Sequence, residues 1–196
     1  YSVSALSKNR LSNPLMVNSG GTLGAGVTSA GGGTTGIAQG WQAARTGAAT
    51  AVVSLVDRTV ADDGDALGKK QRIAATGTAD GETVTLSLIT GVTPFAAGDV
   101  IYSDFIFSVN SASNVKYILA NLVCATSIGN FTIWHNAGSA NGYPNAQAPF
   151  SGVVRTRDFK VPGGAVVTGV NLSVVVAFAG VGNATIDVSR VRVATA

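Results

Sequence analysis

The chain has 196 residues, which fits one domain that is long enough to bury its own core. Hydrophobic residues make up 46% and charged residues only 12%, against about 25% charged in an average soluble domain, so much apolar surface must lie in a core or in contacts between chains. No apolar run reaches the about 18 residues of a membrane helix, and the net charge of +3 comes from scattered basic residues, which argues against membrane insertion and against nucleic-acid binding.

Residues 1–40 are polar and glycine-rich, a composition that disfavours helix. We predict a short first strand near 11–17 and then a long loop to Gly40, and we expect this segment to belong to the same domain as the body at 41–196. The glycines would also suit a flexible linker to another domain. Trp41 follows Gly40 and precedes a strand, and we expect it to pack in the core.

Further along the chain, apolar and polar residues alternate with the period of two that is typical of half-buried β-strands. In the segment 83–88, for example, three aliphatic residues face one way and three hydroxyl residues the other. The further predicted strands are 51–56, 71–76, 100–109, 115–126, 131–135, 153–161, 170–178 and 184–193. About nine short strands separated by turn residues predict an all-β fold, an antiparallel β-sandwich of the jelly-roll type.

Few residues offer catalytic chemistry. The single histidine, His135, is not accompanied by a nucleophile-elbow motif anywhere in the sequence. The single glutamate, Glu82, lies in a predicted turn, whereas a glycosidase needs two carboxylates, one of which has a raised pKa. Cys124 sits in an apolar stretch and is predicted to be buried. The acidic turn at 62–65 either binds calcium or is a solvated loop, since it lacks the EF-hand spacing. We therefore predict that the domain is not an enzyme.

Aromatic residues provide the candidate ligand site. Sugar rings stack on flat aromatic side chains while neighbouring polar groups bind the hydroxyls. Trp134 and Tyr102 are each out of phase with the apolar residues of their own strands, so both are predicted to face outward. Asp104 accompanies Tyr102, while Tyr143 and Asn136 follow Trp134 in the chain. We predict that these five residues bind a ligand; filling of the core or contact with another subunit is the alternative.

Five short segments follow one another along nearly the whole chain. They are N-R-L-S-N-P-L-M at 9–16, G-W at 40–41, F-A-A-G-D-V at 95–100, R-T-R-D-F-K-V-P-G-G at 155–164 and T-I-D-V-S-R-V at 185–191. In this order they resemble the carbohydrate-binding-module-like, or galactose-binding-like, jelly rolls that are attached to phage virion proteins and to sugar-ester hydrolases.

The resemblance implies two antiparallel sheets and a domain that binds a ligand or serves as a structural accessory. It also implies a structural calcium ion (Ca2+) near both termini, with Asp187 as the closing ligand and Asn13 in the opening motif. The carboxylate that commonly follows that motif is replaced here by Val17 and Asn18. Sugar-contacting residues vary within the family, so the resemblance assigns none of them.

These observations favour a non-catalytic domain that binds a glycan or cell-surface polysaccharide on a phage fibre, spike or head appendage, in the virion or outside the cell. The first alternative is a purely structural virion protein, because the low charge and the mean hydropathy of +0.34 favour contacts within a homo-oligomer or with other virion proteins. The second alternative is an accessory module of a secreted carbohydrate-active enzyme, which the start at Tyr1 and the glycine stretch would suit. Catalysis by the domain itself is the weakest reading.

Overall fold

The computed structural model describes residues 15–63, 67–88, 95–134 and 150–196. These residues form eleven strands and one helical turn: β1 (Thr22–Leu23), β2 (Val27–Ser29), β3 (Trp41–Arg45), β4 (Thr50–Asp57), α1 (Val60–Asp63), β5 (Lys69–Gly77), β6 (Asp80–Leu88), β7 (Val100–Thr126), β8 (Gly129–Trp134), β9 (Phe150–Arg155), β10 (Phe159–Lys160) and β11 (Val167–Thr195). The all-β prediction is confirmed. Within the described ranges, no helix is long and apolar enough to span a membrane.

The strand boundaries differ from the predicted ones in an informative way. The predicted pairs 100–109 with 115–126, and 170–178 with 184–193, each form one long strand, β7 and β11. Asn114 takes a φ of 52° inside β7, a conformation that asparagine tolerates better than most residues, and the register of β7 with β11 shifts at this point. The predicted strand at 153–161 splits into β9 and β10. Of the predicted first strand, 11–14 lies outside the described residues and 15–17 is not a strand.

The long strands β7 and β11 pair antiparallel along most of their lengths and are shared by two layers. The first, which we call layer A, has the order β1-β3-β6-β11-β7-β8 and uses the halves 167–178 of β11 and 115–126 of β7. The second, layer B, has the order β2-β4-β5-β11-β7 with β9 and β10 at its edge. Pairing is antiparallel except between β1 and β3 and between β2 and β4. The predicted antiparallel β-sandwich is confirmed.

A single core lies between the layers. Layer A contributes Leu86, Leu122 and Leu172, which are fully buried, and layer B contributes residues such as Phe107 and Val188. Trp41 is 2% exposed, which confirms its predicted packing role, and Cys124 is buried as predicted. Burial also raises the pKa of the Cys124 thiol.

Glycines allow the close approach of strands where the chain passes between the layers. A Cβ atom at Gly77 would lie 2.2 Å from Cγ of Phe178, and one at Gly182 would lie 2.3 Å from the carbonyl oxygen of Ser113. Real Cβ atoms do not approach other atoms so closely, so these positions accept only glycine without a shift of the backbone.

The described part of the glycine-rich segment is attached to layer B by a buried glutamine. Gln71 is fully buried, accepts a hydrogen bond at Oε1 from the Ala38 backbone amide (2.9 Å) and donates from Nε2 to the Gly36 carbonyl oxygen (2.8 Å). Ile37 and Ala38 are fully buried beside it. The region predicted as one long loop therefore contains two short strands, β1 and β2, and contributes to the core.

Candidate functional site

A line of uncharged polar residues crosses the outer face of layer A. Backbone pairing aligns Gln42 of β3 with Ser87 of β6, and Ser87 with Ser173 of β11. The alignment continues from Ser173 to Asn121 of β7, and from Asn121 to Trp134 of β8. Gln42, Ser87, Ser173 and Asn121 are half-buried, and each stands between two buried residues of its own strand. They therefore share the outer face, and we call these four residues the polar row.

Hydrogen bonds connect the middle of the polar row. The hydroxyl oxygens of Ser87 and Ser173 are 3.1 Å apart, and the Ser173 hydroxyl donates to Oδ1 of Asn171 at 3.1 Å. Oδ1 of Asn121 is buried and has no hydrogen-bond partner. Because the great majority of buried acceptors in proteins are paired, this oxygen marks the point of the row at which a donor is missing.

Aliphatic side chains lie beside the polar row on the same face. Val175 of β11 pairs with Leu119 of β7 on one side of the row, and Val123 of β7 lies on the other side. All three side chains are half-buried. The surface thus combines apolar contact area with a few placed hydroxyl and amide groups, which is the usual composition of a small-ligand site. The polar row carries no ionisable group, so it suits an uncharged ligand that is rich in hydroxyls.

Layer B has a different outer face, and it holds two of the predicted ligand residues. Tyr102 and Asp104 lie on this face as the alternation predicted, but they are only 6% and 5% exposed. Two guanidinium groups cover the Tyr102 ring, with Cζ of Arg155 at 4.0 Å and Cζ of Arg192 at 5.1 Å from its centroid. The predicted exposure of Tyr102 is therefore wrong, because long arginine side chains cover the face to which it points.

Asp104 is the ionic partner of Arg192. Nε of Arg192 donates to Oδ2 and Oδ1 of Asp104 at 3.1 and 3.2 Å, and Nη2 of Arg192 donates to Oδ2 as well. Nη2 of Arg155 donates to Oδ1 of Asp158 at 2.8 Å. Asp104 thus holds an arginine in place over Tyr102, and a role of Asp104 in ligand binding stays a prediction.

The structure separates the predicted ligand residues. Trp134 lies in β8 of layer A, where its backbone pairs with Asn121, whereas Tyr102 and Asp104 lie in layer B. Tyr143 and Asn136 lie outside the described residues. Trp134 and Tyr102 therefore do not belong to one sheet face, and ligand binding by either of them stays a prediction.

The carboxylate of Asp187, the predicted calcium ligand, is bound by cationic side chains of the same chain. Its Oδ1 and Oδ2 accept hydrogen bonds from Nε and Nη2 of Arg72 at 2.8 and 2.9 Å, and Nζ of Lys70 lies 3.4 Å from Oδ2. A carboxylate held by two cations does not fit a calcium ligand, and the hydrogen bond to Asp187 raises the pKa of Arg72. Asn13 lies outside the described residues. Within the described ranges, no group of three or more His, Cys, Asp or Glu side chains is placed to hold a metal ion.

The described part of the acidic turn at 62–65 is a helix cap. Oδ2 of Asp62 accepts from the Thr59 backbone amide at 2.6 Å, and Oδ1 accepts from Nζ of Lys70 at 2.6 Å. Burial raises the pKa of Asp62, but the hydrogen bonds from Lys70 and Thr59 outweigh it, so the pKa lies below its usual value. Asp62 thus links α1 to the ionic network of layer B.

Glu82 is held by backbone amides in the structure. It accepts hydrogen bonds from the amides of Thr78 (2.6 Å), Ala48 (2.7 Å) and Ala79 (3.1 Å), and the bond from Thr78 is the main cause of its lowered pKa. Glu82 lies in β6 rather than in the predicted turn. A glycosidase acid needs a raised pKa, so this carboxylate is not prepared for that role. His135 lies outside the described residues.

Sequence reasoning did not find the polar row as a site. The hydroxyl alternation at 83–88 placed Ser87 on an outer face, which is correct, but it left Ser173 and Asn121 without neighbours. The row exists only because the registers of four strands align these residues side by side. These registers cannot be predicted from the sequence pattern of any one strand.

The sequence matches no protein-family description and no curated protein. Among solved structures, the fold is similar to the enzymatically active domain of bacteriophage CBA120 tailspike protein 4 (TM-score 0.51, 14% identity, 81% of this chain and 20% of that one). It is also similar to a carbohydrate-binding module of the β-sandwich superfamily (0.53, 14%, 81% and 58%) and to the arabinose-bound α-L-arabinofuranosidase MgGH51 (0.51, 11%, 96% and 26%).

This chain spans less than two thirds of each of these three proteins. The TM-scores of 0.51–0.53 show a common fold, and at identities of 11–14% that fold alone does not assign a function to this chain. The domain has the jelly-roll β-sandwich fold of the carbohydrate-binding modules, as the motif resemblance implied.

Proposed function

We propose that this chain is a non-catalytic glycan-binding domain and that the polar row on layer A, with the aliphatic residues beside it, is its sugar-binding surface. The observation that carries the proposal is the alignment of Gln42, Ser87, Ser173 and Asn121 across four adjacent strands. At about 4.8 Å between strands, the aligned residues extend over roughly 15 Å, the span of several sugar rings.

The chemistry of the row matches that of a sugar. Each sugar hydroxyl donates and accepts hydrogen bonds, and the row offers hydroxyl and amide groups of both kinds. The oxygen of Asn121 needs a donor, and its soft terminal torsion allows the amide to present that oxygen to a ligand. The half-buried Val175 and Leu119 offer apolar contact to the C–H faces of a ring.

Affinity electrophoresis against a panel of bacterial surface and plant polysaccharides, with and without a chelator, tests the proposal. We expect saturable binding to at least one polymer and a loss of about two- to tenfold in affinity for Asn121→Ala, the effect of removing one neutral hydrogen bond. Ser108→Ala is the control, because Ser108 lies on the outer face of layer B, where it donates to Ser151. Equal losses in both variants, or no binding to any polymer, would rule out the polar row as a sugar site.

Trp134 provides a second test of the same surface. Its backbone pairs with Asn121 at the end of the polar row. We expect Trp134→Ala to abolish polysaccharide binding while the circular dichroism spectrum stays that of the wild-type fold. Unchanged binding by this variant would remove Trp134 from the site.

We further propose that the domain belongs to a phage virion or to an extracellular protein. The low charged fraction supports this placement, and so does the fold shared with a phage tailspike domain. The similar region of the arabinofuranosidase belongs to a longer carbohydrate-active enzyme, so an accessory module of a secreted enzyme is the alternative placement. Sequencing the gene on both sides of this segment distinguishes a virion protein from an enzyme.

A structural role between subunits is the second candidate function. Ile128 and Val166 are 63% and 64% exposed and lie in adjacent loops, where the Ser127 amide donates to the Val166 carbonyl oxygen. Such an exposed apolar pair favours contact with another chain. Light scattering at high protein concentration tests this role: a defined oligomer supports it, and a monodisperse monomer contradicts it.

A further inference from the structure

One corner of layer B carries an excess of positive charge. The corner contains the segment from β9 to β10 and the end of β11, which flank the start of β7. We call the following residues the basic corner: Arg155, Arg157, Asp158, Lys160, Arg190, Arg192 and Asp104. Its five cations and two carboxylates leave a net charge of +3, or +2 when the neighbouring Asp99, at the start of β7, is counted as well.

Buried Tyr102 gives the basic corner a rigid base. The Arg155 guanidinium lies 4.0 Å from the ring centroid and the Arg192 guanidinium 5.1 Å, both within range of cation–π attraction. Arg192 is further held by Asp104 through both carboxylate oxygens. Stacked guanidinium groups lose less conformational freedom when they bind a ligand than free lysine side chains do.

Three of the five cations of the corner are exposed. The side chain of Arg155 is 47% exposed, and Arg157 and Lys160 are exposed as well. The other ionic network of layer B differs, because Lys70 and Arg72 are matched there by Asp62 and Asp187. The basic corner has more cations than carboxylates, whereas the charges of the neighbouring network on the same sheet balance. This local excess of positive charge indicates a surface that binds an anionic ligand.

We propose that the basic corner is a second binding site, which recognises the carboxylate or sulfate groups of an acidic polysaccharide. A guanidinium fork matches a carboxylate or sulfate group in geometry. Duplex DNA is a poorer match, because tight DNA binders contact about six to ten phosphates and only three cations of this corner, Arg155, Arg157 and Lys160, are exposed. The site lies on layer B, so it goes beyond the proposed sugar surface on layer A.

Fluorescence anisotropy with labelled polygalacturonate, dextran sulfate, neutral dextran and a DNA duplex tests this inference at two salt concentrations. The test variant is Arg155→Gln with Arg157→Gln and Lys160→Gln. The control variant is Arg45→Gln with Lys69→Gln and Lys116→Gln, which removes the same charge elsewhere. Circular dichroism and thermal unfolding verify that both variants keep the fold.

We expect the wild type to bind polygalacturonate or dextran sulfate, and the stronger of the two identifies the recognised anion. The test variant should lose about tenfold or more in affinity and show a weaker salt dependence, while the control variant should change less than about twofold. Equal losses in both variants, equal binding of DNA, or no binding of either acidic polymer would overturn the inference. Asn121→Ala should leave acidic-polymer binding unchanged, so a failure of the layer A site is recognised separately.

Discussion

The two outer faces of this sandwich are built from the same two long strands, yet they differ in chemistry. On layer A, the outward residues of β7 and β11 include Asn121 and Ser173, which are uncharged. On layer B, the outward residues of the same strands include Asp104, Asp187 and Arg192, which take part in ion pairs. Both inner faces contribute apolar side chains to the one core. Strand alternation therefore decides which residues face the core, and the residue types on the outward positions decide what each face can bind.

The largest expected effect comes from Gln71, which lies on the inner side of layer B. Gln71→Leu leaves the Ala38 amide and the Gly36 carbonyl buried without partners, and each such group costs about 1–3 kcal/mol. We expect the free energy of unfolding to fall by about 2–5 kcal/mol in urea denaturation. Gln42→Leu, on the outer side of layer A, is the matched control and should change it by less than about 1 kcal/mol. Similar losses in both variants would contradict the distinction between inner and outer positions.

The second prediction compares the stability that polar contacts contribute on the two outer faces. Asp104→Ala leaves Arg192 without its main carboxylate partner on a nearly buried surface, and removing one member of a buried pair costs about 3–5 kcal/mol at most. Because Arg192 keeps some exposure, we expect a loss of about 2 kcal/mol. Ser173→Ala on layer A should cost about 0.5–1 kcal/mol, the range for one neutral hydrogen bond. Equal costs measured by chemical denaturation would mean that the ion pair of layer B is not structural.

Acid should weaken the protein through two carboxylates. The pKa values of Glu82 and Asp62 lie below their ordinary values of 4.5 and 3.8, so their contributions to stability are fully present above those values. These contributions are lost as the pH falls through the lowered pKa values, because the unfolded chain then binds the proton more readily. We expect the melting temperature to be flat from pH 7 to about pH 5 and to fall below pH 4.5. In Glu82→Gln the fall should be smaller; an unchanged pH profile in this variant would refute the role of Glu82.

The smallest effect concerns the binding surface itself. Removing both hydroxyls of the polar row in Ser87→Ala with Ser173→Ala should weaken polysaccharide binding about threefold to tenfold and lower the free energy of unfolding by no more than about 1 kcal/mol. Ser108→Ala with Ser151→Ala removes an equivalent hydroxyl pair from layer B and should leave that binding unchanged. Isothermal titration with the bound polymer distinguishes the two pairs. A larger loss from the layer B pair would place the sugar site on the other face.

Much of the fold could be predicted from local patterns. The alternation at 83–88 placed Leu86 in the core and Ser87 outside, as found. Cys124 was correctly assigned to the core from its apolar surroundings, and Trp41 from its position just before a strand. The same reasoning failed for Tyr102, whose outward phase was correct but whose exposure was not, because its cover comes from Arg155 and Arg192 in other strands. The resemblance that implied a calcium role for Asp187 could not show its cationic partners Arg72 and Lys70, which are more than a hundred residues away in the chain.

The amino-acid sequence by itself determined the all-β class and the strand phases, because both depend on neighbours one or two residues apart, and its composition determined the low charge. Only the tertiary structure decided which strands merge into β7 and β11, and which residues meet across them. Register is a relation between distant segments, and it aligns Asn121 with Ser173 on layer A and Asp104 with Arg192 on layer B. The polar row and the basic corner therefore arise from strand pairing, which no stretch of the sequence encodes alone.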